Sequence, residues 1–430
     1  MKKLFFKYVA LNVLGALGLS GYILADTYFV ANRLGADGLA ALNLALPIFS
    51  VINGLAVMLG IGGATRYAIC RYQGDQERAD RAFSRAFVFG GGVGLLLLLM
   101  GLLLAGPIAS LLGAEGTTLP MCTVYLRTVL LFAPCFILNQ VLIAFVRNDG
   151  EPRLSMAAML IGSLANIVLD YVFLYPLDMG IFGAALATGV APVIGLCISS
   201  LHVIRGKNSF RLRPFRFRLR PLADLAGLGS AAFVNECATG IVLVVFNLLA
   251  LRLAGTLGVA AYGIVANLAI MAVAVFTGIA QGVQPLISRC YSRDEADEVR
   301  LLSRMALLLA GLLGAGLMLL AFFCAPQLVA LFDRDGIALL RQMAEQGLRI
   351  YFVGFLFAGP NIVAAALLAA AEQARPSFFV SLLRGCVGIV PAALALALLL
   401  GLTGLWLAFP VAEAVTFLLA LWYVRNLLTR

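Results

Sequence analysis

Four acidic residues interrupt long apolar runs of this chain: Asp26, Asp170, Glu236 and Glu413. A carboxylate in hydrocarbon is costly, so each one there is a functional candidate by default. Two have polar neighbours at helical spacing. Tyr22 lies one turn before Asp26, and Asn166 one turn before Asp170, so each pair shares a helix face. Thr188 adds a hydroxyl. Carboxylate, amide and hydroxyl oxygens make a hard-ligand set, suited to a small cation such as Na⁺ or to a shared proton. The predicted cation-binding and coupling residues are therefore Tyr22, Asp26, Asn166, Asp170 and Thr188, with Na⁺ held by the last four if the ion is a metal. A second set comprises Glu236, its neighbour Asn235, Gln281 and Asn267, with Gln284 and Asn361 adding polar character. A carboxylate in a large apolar cavity attracts the charge of a cationic amphiphile, while apolar and aromatic walls take the rest. The competing reading for every one of these groups is polar contact between helices, and it is the reading adopted for Glu413.

Other chemistries lack their residues. The eight cysteines lie apart with no CxxC pair, and the one histidine, His202, cannot form a metal site alone. The glycines at 90–94 follow no strand, so they are packing devices rather than a phosphate loop. No HExxH or GxSxG constellation is present, and an enzyme is not expected. No cofactor is expected beyond a coupling ion, Na⁺ or H⁺.

These residues require membrane-spanning helices to position them. The chain is 62% hydrophobic and 12% charged, against about a quarter charged in a soluble domain. A span needs about 20 apolar residues, and twelve fit, at roughly 8–32, 38–65, 86–112, 121–146, 154–175, 180–203, 225–252, 258–288, 302–330, 343–371, 376–399 and 402–424. Turn chemistry marks breaks at 32–38, 148–152 and 332–336. Lys2, Lys3 and Lys7 precede an apolar run too long for a signal peptide, so the first helix is expected to be retained. Lys and Arg crowd alternate loops: the N-terminus, 66–85, 147–153, 205–220, 289–304, 375 and 425–430. The positive-inside rule puts these loops and both termini in the cytoplasm. The net charge of +10 reflects that bias, not nucleic-acid binding.

The sequence repeats itself. Residues 69–87 parallel 287–305, Pro152 parallels Pro376, and the Gly-x-x-Gly at 180–183 parallels that at 401–404. The expected fold class is an all-α integral membrane protein with twelve transmembrane helices. They form two six-helix lobes, 1–203 and 225–430, joined by a basic cytoplasmic linker at 204–224. Six spans per lobe preserve orientation, so the lobes should be related by a pseudo-two-fold axis along the membrane normal. Asp26, Asp170 and Thr188 then sit within about eight residues of the outer ends of their spans, in one layer at about 1.5 Å per residue. That common depth argues against independent packing roles.

The stretches ADTYFVANRLGADGLAALNLALPI (25–48), GEPRLSMAAMLIGSLANIVLDYVFLYPLDMGIFGAALAT (150–188) and NECATGIV (235–242) resemble the multidrug and toxic compound extrusion (MATE) family over nearly the whole chain. The resemblance implies cation-coupled export of drug-like organic cations. In one branch an N-terminal cation site matches Asp26, Asn166, Asp170 and Thr188; another branch emphasises a seventh-helix acid, matched by Glu236. The expected function is a secondary active antiporter working by alternating access in a prokaryotic inner membrane, as a monomer in contact with lipid. Its partners are organic cations or drugs and the coupling cation, with no nucleic acid. The main rival is a lipid-linked-oligosaccharide flippase of the same superfamily. A flippase would be expected to carry a cationic cavity for a pyrophosphate, whereas the intramembrane charges here are mostly acidic, with Arg127 and Arg384 as exceptions.

Overall fold

A computed structural model of the protein describes residues 1–215, 219–330 and 337–429. The turn predicted at 332–336 and the arginines at 216, 218, 334 and 430 lie outside the described residues. Among those described there is no strand. Among the described residues nine helices are long and apolar enough to cross a membrane, and a bent pair makes a tenth span. Two of the nine exceed any single crossing. Arg220–Ser292 has 73 residues and Ala374–Leu428 has 55, and a 73-residue helix would run about 110 Å through a core about 30 Å thick. Both are interrupted, at Gly255 and Gly401 respectively, so each crosses twice and the spans number twelve.

The spans are Lys2–Gly35, Asp37–Tyr72, Gln76–Leu111, the pair Thr118–Leu131 and Ala133–Asn148, Pro152–Leu174, and Gly180–Ile204. The seventh and eighth lie either side of Gly255 in Leu219–Ser292, the ninth is Ala296–Ala330, the tenth is Ala338–Ala370, and the last two flank Gly401. Leu95, Leu96, Leu99, Leu102 and Leu103 on the third span are all exposed, as a lipid-facing surface requires.

Three features depart from the sequence expectation. The charged stretch 66–85, predicted as a loop, is helical except for a short turn at 73–75. Both helices extend past the expected span ends, and the Asp75 side chain caps the third span by accepting from the Arg78 amide at 2.9 Å. The fourth span bends by 46° at Phe132. Pro134 has no N–H and its ring crowds the carbonyl four residues back, which breaks the ladder there. The eleventh span contains a π-helical segment at Leu383–Val387.

The chain divides into two compact units, Leu14–Cys237 and Met1–Val13 with Ala238–Arg430. In the first, Tyr67, Phe83, Phe145 and Phe210 form a buried aromatic cluster. Phe210 belongs to the basic segment after the sixth span, which is thereby tied to this unit. Asp149 anchors the same segment: its carboxylate accepts from the Ser209 amide at 2.8 Å, from Tyr67 Oη at 2.7 Å and from Arg71, and lies 2.7 Å from His202 Nε2. In the second unit the core is built around Trp406, Tyr351 and Phe409, the last two stacked at 4.2 Å.

The sequence repeat extends to the backbone. Gly35 (φ 66°, ψ −155°) and Gly255 (φ 64°, ψ −154°) are 220 residues apart and adopt one conformation. The Asp75 amide donates to Cys70 O, as the Glu295 amide does to Cys290 O. The Glu151 amide donates to Val146 O, as the Gln373 amide does to Leu368 O.

Candidate functional site

The first span carries Tyr22 and Asp26, the fifth Asn166 and Asp170, and the sixth Thr188, all within the unit Leu14–Cys237. On the fifth span the buried positions Ser155, Met159, Gly162, Ser163, Asn166 and Asp170 recur every three or four residues, so Asn166 and Asp170 share its inward face. Asp170 and Asn166 have no exposed surface, and Asp26, Thr188 and Tyr22 are buried. The fold brings the two carboxylates close enough to interact electrostatically, with Tyr22 within range of both. Thr188 donates its hydroxyl to Ala184 O at 3.0 Å, which leaves its oxygen lone pairs available.

One member of this cluster escaped the sequence reading. Tyr125, buried on the fourth span, lies beside the Thr188 side chain and within electrostatic range of Asp26, Asp170 and Tyr22. A neutral aromatic in an apolar span carries no signal of its own. Only the depth argument, extended from acids to hydroxyls, would have found it.

Within this cluster Asp26 Oδ1, both oxygens of Asp170 and both amide atoms of Asn166 are buried without a hydrogen-bond partner. Folded proteins satisfy the large majority of such groups, and two uncompensated carboxylates at one place are doubly unfavourable. The donor set fits a small hard cation or a proton: two anionic carboxylates with neutral amide and hydroxyl oxygens. Among the described residues no three His, Cys, Asp or Glu side chains form a metal cluster, so the neutral oxygens are needed to complete any coordination shell.

Glu236 is held differently. Its Oε2 accepts from Asn53 Nδ2 at 2.8 Å, and Gln140 Nε2 donates to Asn53 Oδ1 at 3.4 Å. Tyr22 is within electrostatic range of Glu236 as well, so this acid lies near the Asp26/Asp170 cluster in the same unit. Asn235 precedes it and is half-buried. Asn53 and Gln140, both half-buried, were missed from sequence, because an amide in an apolar span costs far less than an acid and its role depends on its neighbours. Asn267 and Gln281 belong to the other unit, both half-buried on the eighth span. Fourteen residues separate them, about 21 Å along a helix, so they do not form one cluster.

A third polar group occupies the unit containing Ala238–Arg430. Arg384 Nε lies 2.8 Å from Glu413 Oε1, and Asn361 Nδ2 donates to Glu413 Oε2 at 2.7 Å and to its carbonyl at 2.9 Å. Glu413 is thus compensated within the protein, unlike Asp26 and Asp170. The flippase reading gains nothing here, since Arg384 is neutralised by Glu413 and Arg127 is exposed.

Comparison with known proteins gives a consistent result. Multidrug export protein MepA of Staphylococcus saprophyticus is 30% identical over 422 residues, 97% of this chain and 92% of that protein. The Staphylococcus aureus MepA is 28% identical over 413 residues, 95% and 90% of the two chains. A crystal structure of a MATE in complex with MaL6 matches with a TM-score of 0.93 at 23% identity, covering 100% of this chain and 96% of that one. An outward-facing multidrug resistance MATE family transporter of the MOP superfamily matches with a TM-score of 0.90 at 24% identity, again covering 100% and 96%. At those identities the structural likeness bears on the fold alone. The MatE family profile matches residues 13–172 and 231–394, three quarters of the chain, and the chain belongs to that family, the multidrug and toxic compound extrusion transporters.

Proposed function

We propose that the protein is a secondary active multidrug antiporter, exporting organic cations or amphiphilic drugs in exchange for Na⁺ or H⁺. The carrying observation is the buried Asp26/Asp170 pair with orphaned carboxylate oxygens. Such a pair changes its interaction energy strongly when a cation or proton arrives, because like charges in a low-dielectric site repel until one is neutralised. An entering cation draws the first and fifth spans together through their carboxylates. Coupling follows if that packing favours one access state and bound drug favours the other. Glu236, on the network of Asn53 and Gln140, supplies the negative charge that recognises a cationic drug. Export of drugs is supported by the relatives named multidrug export protein. The distribution of Lys and Arg supports a cytoplasmic location for both termini, in a prokaryotic inner membrane.

The test is efflux of a cationic dye from proteoliposomes in which Na⁺ and H⁺ gradients are imposed independently. Dye movement should follow one gradient and collapse with it. Transport indifferent to both gradients overturns the antiport reading.

A further inference from the structure

The fifth span begins at Pro152 and the sixth ends at Ile204, so both termini lie at one end of the unit Leu14–Cys237. A groove of about 280 Å³ opens there. Its rim carries Arg153, Arg205 and Lys207, all exposed, and none makes an ion pair with another described residue. The one acid at the rim is Glu151. His202 also borders the groove, but its Nε2 is engaged by Asp149 at 2.7 Å. Three unpaired cations against one acid make a local excess of positive charge at the level where a membrane presents its headgroups.

The floor is apolar: Leu154, Ala157 and Leu201. Leu154 and Ala157 start a stripe that continues along the fifth span through Ile161, Leu164 and Val168, at alternating spacings of three and four. The last three are exposed. That spacing keeps all five on one helix face, about 21 Å long and therefore longer than one leaflet of a core about 30 Å thick. A cationic rim at the interface thus leads directly into an apolar track through the hydrocarbon.

We propose that this groove binds one anionic phospholipid. The phosphodiester sits among Arg153, Arg205 and Lys207, where guanidinium forks match phosphate oxygens, and an acyl chain lies along the stripe from Leu154 to Val168. Basic pockets at helix ends are the expected partners of acidic headgroups. The site stands apart from the cation cluster and does not depend on the export reading.

The experiment titrates the purified full-length protein in detergent with phosphatidylglycerol or phosphatidylcholine of identical acyl chains, reading bound lipid by native mass spectrometry and the shift in Tm. Inorganic phosphate and glycerol phosphate serve as soluble probes. Phosphatidylglycerol should bind one per chain and raise Tm more than phosphatidylcholine does. R153Q/R205Q/K207Q should weaken phosphatidylglycerol binding by roughly tenfold or more, each cation contributing a several-fold share. K2Q/K3Q/K7Q removes the same charge elsewhere and should leave binding unchanged. If the triple variant fails to fold, Arg153→Gln and Arg205→Gln singly should each weaken binding about threefold. Equal retention of the two lipids, equal loss in the Lys2/Lys3/Lys7 variant, or a full Tm gain from inorganic phosphate alone would each overturn the proposal.

Discussion

Asp170 has both carboxylate oxygens buried without a donor, and Asp26 has one. Glu413, as deeply buried, has a guanidinium and an amide on its oxygens. The two situations predict opposite responses to neutralisation. Asp26→Asn and Asp170→Asn should each lower ion-driven dye efflux at least about tenfold, since losing one charged ligand removes more than about 1.4 kcal/mol. Each should still reach the membrane, because removing a buried charge eases insertion. The double variant should be little worse than either single, as expected of groups acting as a unit. Normal gradient-driven efflux by well-expressed Asp170→Asn would remove the pair from the mechanism. Glu413→Gln, in contrast, removes the carboxylate charge that balances Arg384 in the interior and should destabilise the protein by about 3 kcal/mol. Arg384→Met with Glu413→Leu should recover most of that stability in thermal denaturation. A double variant as unstable as the single would mean that the pair does more than balance charge. At this scale the acids were legible in the sequence because an ionisable residue in an apolar run stands out. Tyr125, Asn53 and Gln140 were not, because a neutral polar side chain carries no comparable cost and its role depends on what packs against it.

The helical elements owe their reversals to glycine pairs. Gly35 and Gly255 occupy a region of φ/ψ space that is essentially closed to residues with a Cβ, and each is followed three residues later by another glycine, Gly38 or Gly258, pressed against the preceding helix. Gly255→Ala should therefore destabilise the protein by about 1–3 kcal/mol. Gly263→Ala, in an ordinary helical position with nothing within 4 Å of the new Cβ, should be neutral or stabilising by about 0.5–1 kcal/mol. Thermal denaturation in detergent distinguishes them, and equal effects would remove the backbone argument. The sequence reading recognised the same Gly-x-x-Gly at 180–183 and 401–404 but not its recurrence at 35–38 and 255–258. The break between the spans 225–252 and 258–288 was expected, but the residue that makes the reversal, Gly255, was hidden among apolar neighbours and is marked by its positive φ. The bend at Phe132 and the π-helical segment at Leu383–Val387 were equally hidden, since apolar periodicity locates a span without reporting its straightness.

At the scale of the whole molecule, the number of crossings and the repeat were legible because hydropathy and charge count are summed over many residues. How chain segments group was not: Met1–Val13 clusters with Ala238–Arg430 rather than with the rest of the first span, a packing outcome that no local pattern encodes. Orientation is the property on which the export direction rests. The loop containing Arg205 and Lys207 and the helix ends flanking the turns at 73–75 and 293–295, within 66–85 and 289–304, carry the dense positive charge, whereas the loops between hold few cations, among them Arg33, which is paired with Asp178 at 2.9 Å. Translocating a cation-rich loop is strongly disfavoured, so the positive ends should face the cytoplasm. Single cysteines placed in a background lacking the eight native ones test this in intact cells and inverted vesicles with a membrane-impermeant thiol reagent. Arg78→Cys, Lys207→Cys and Arg293→Cys should label only from the cytoplasmic side, and Asp37→Cys and Leu177→Cys only from outside. All five positions are exposed, so failure to label reports sidedness rather than burial. Labelling of Lys207→Cys from outside would invert the molecule and place the anionic-lipid groove in the other leaflet. Labelling of Arg78→Cys and Arg293→Cys from different sides would break the parallel repeat itself, since six spans per half require those two turns to emerge on the same face.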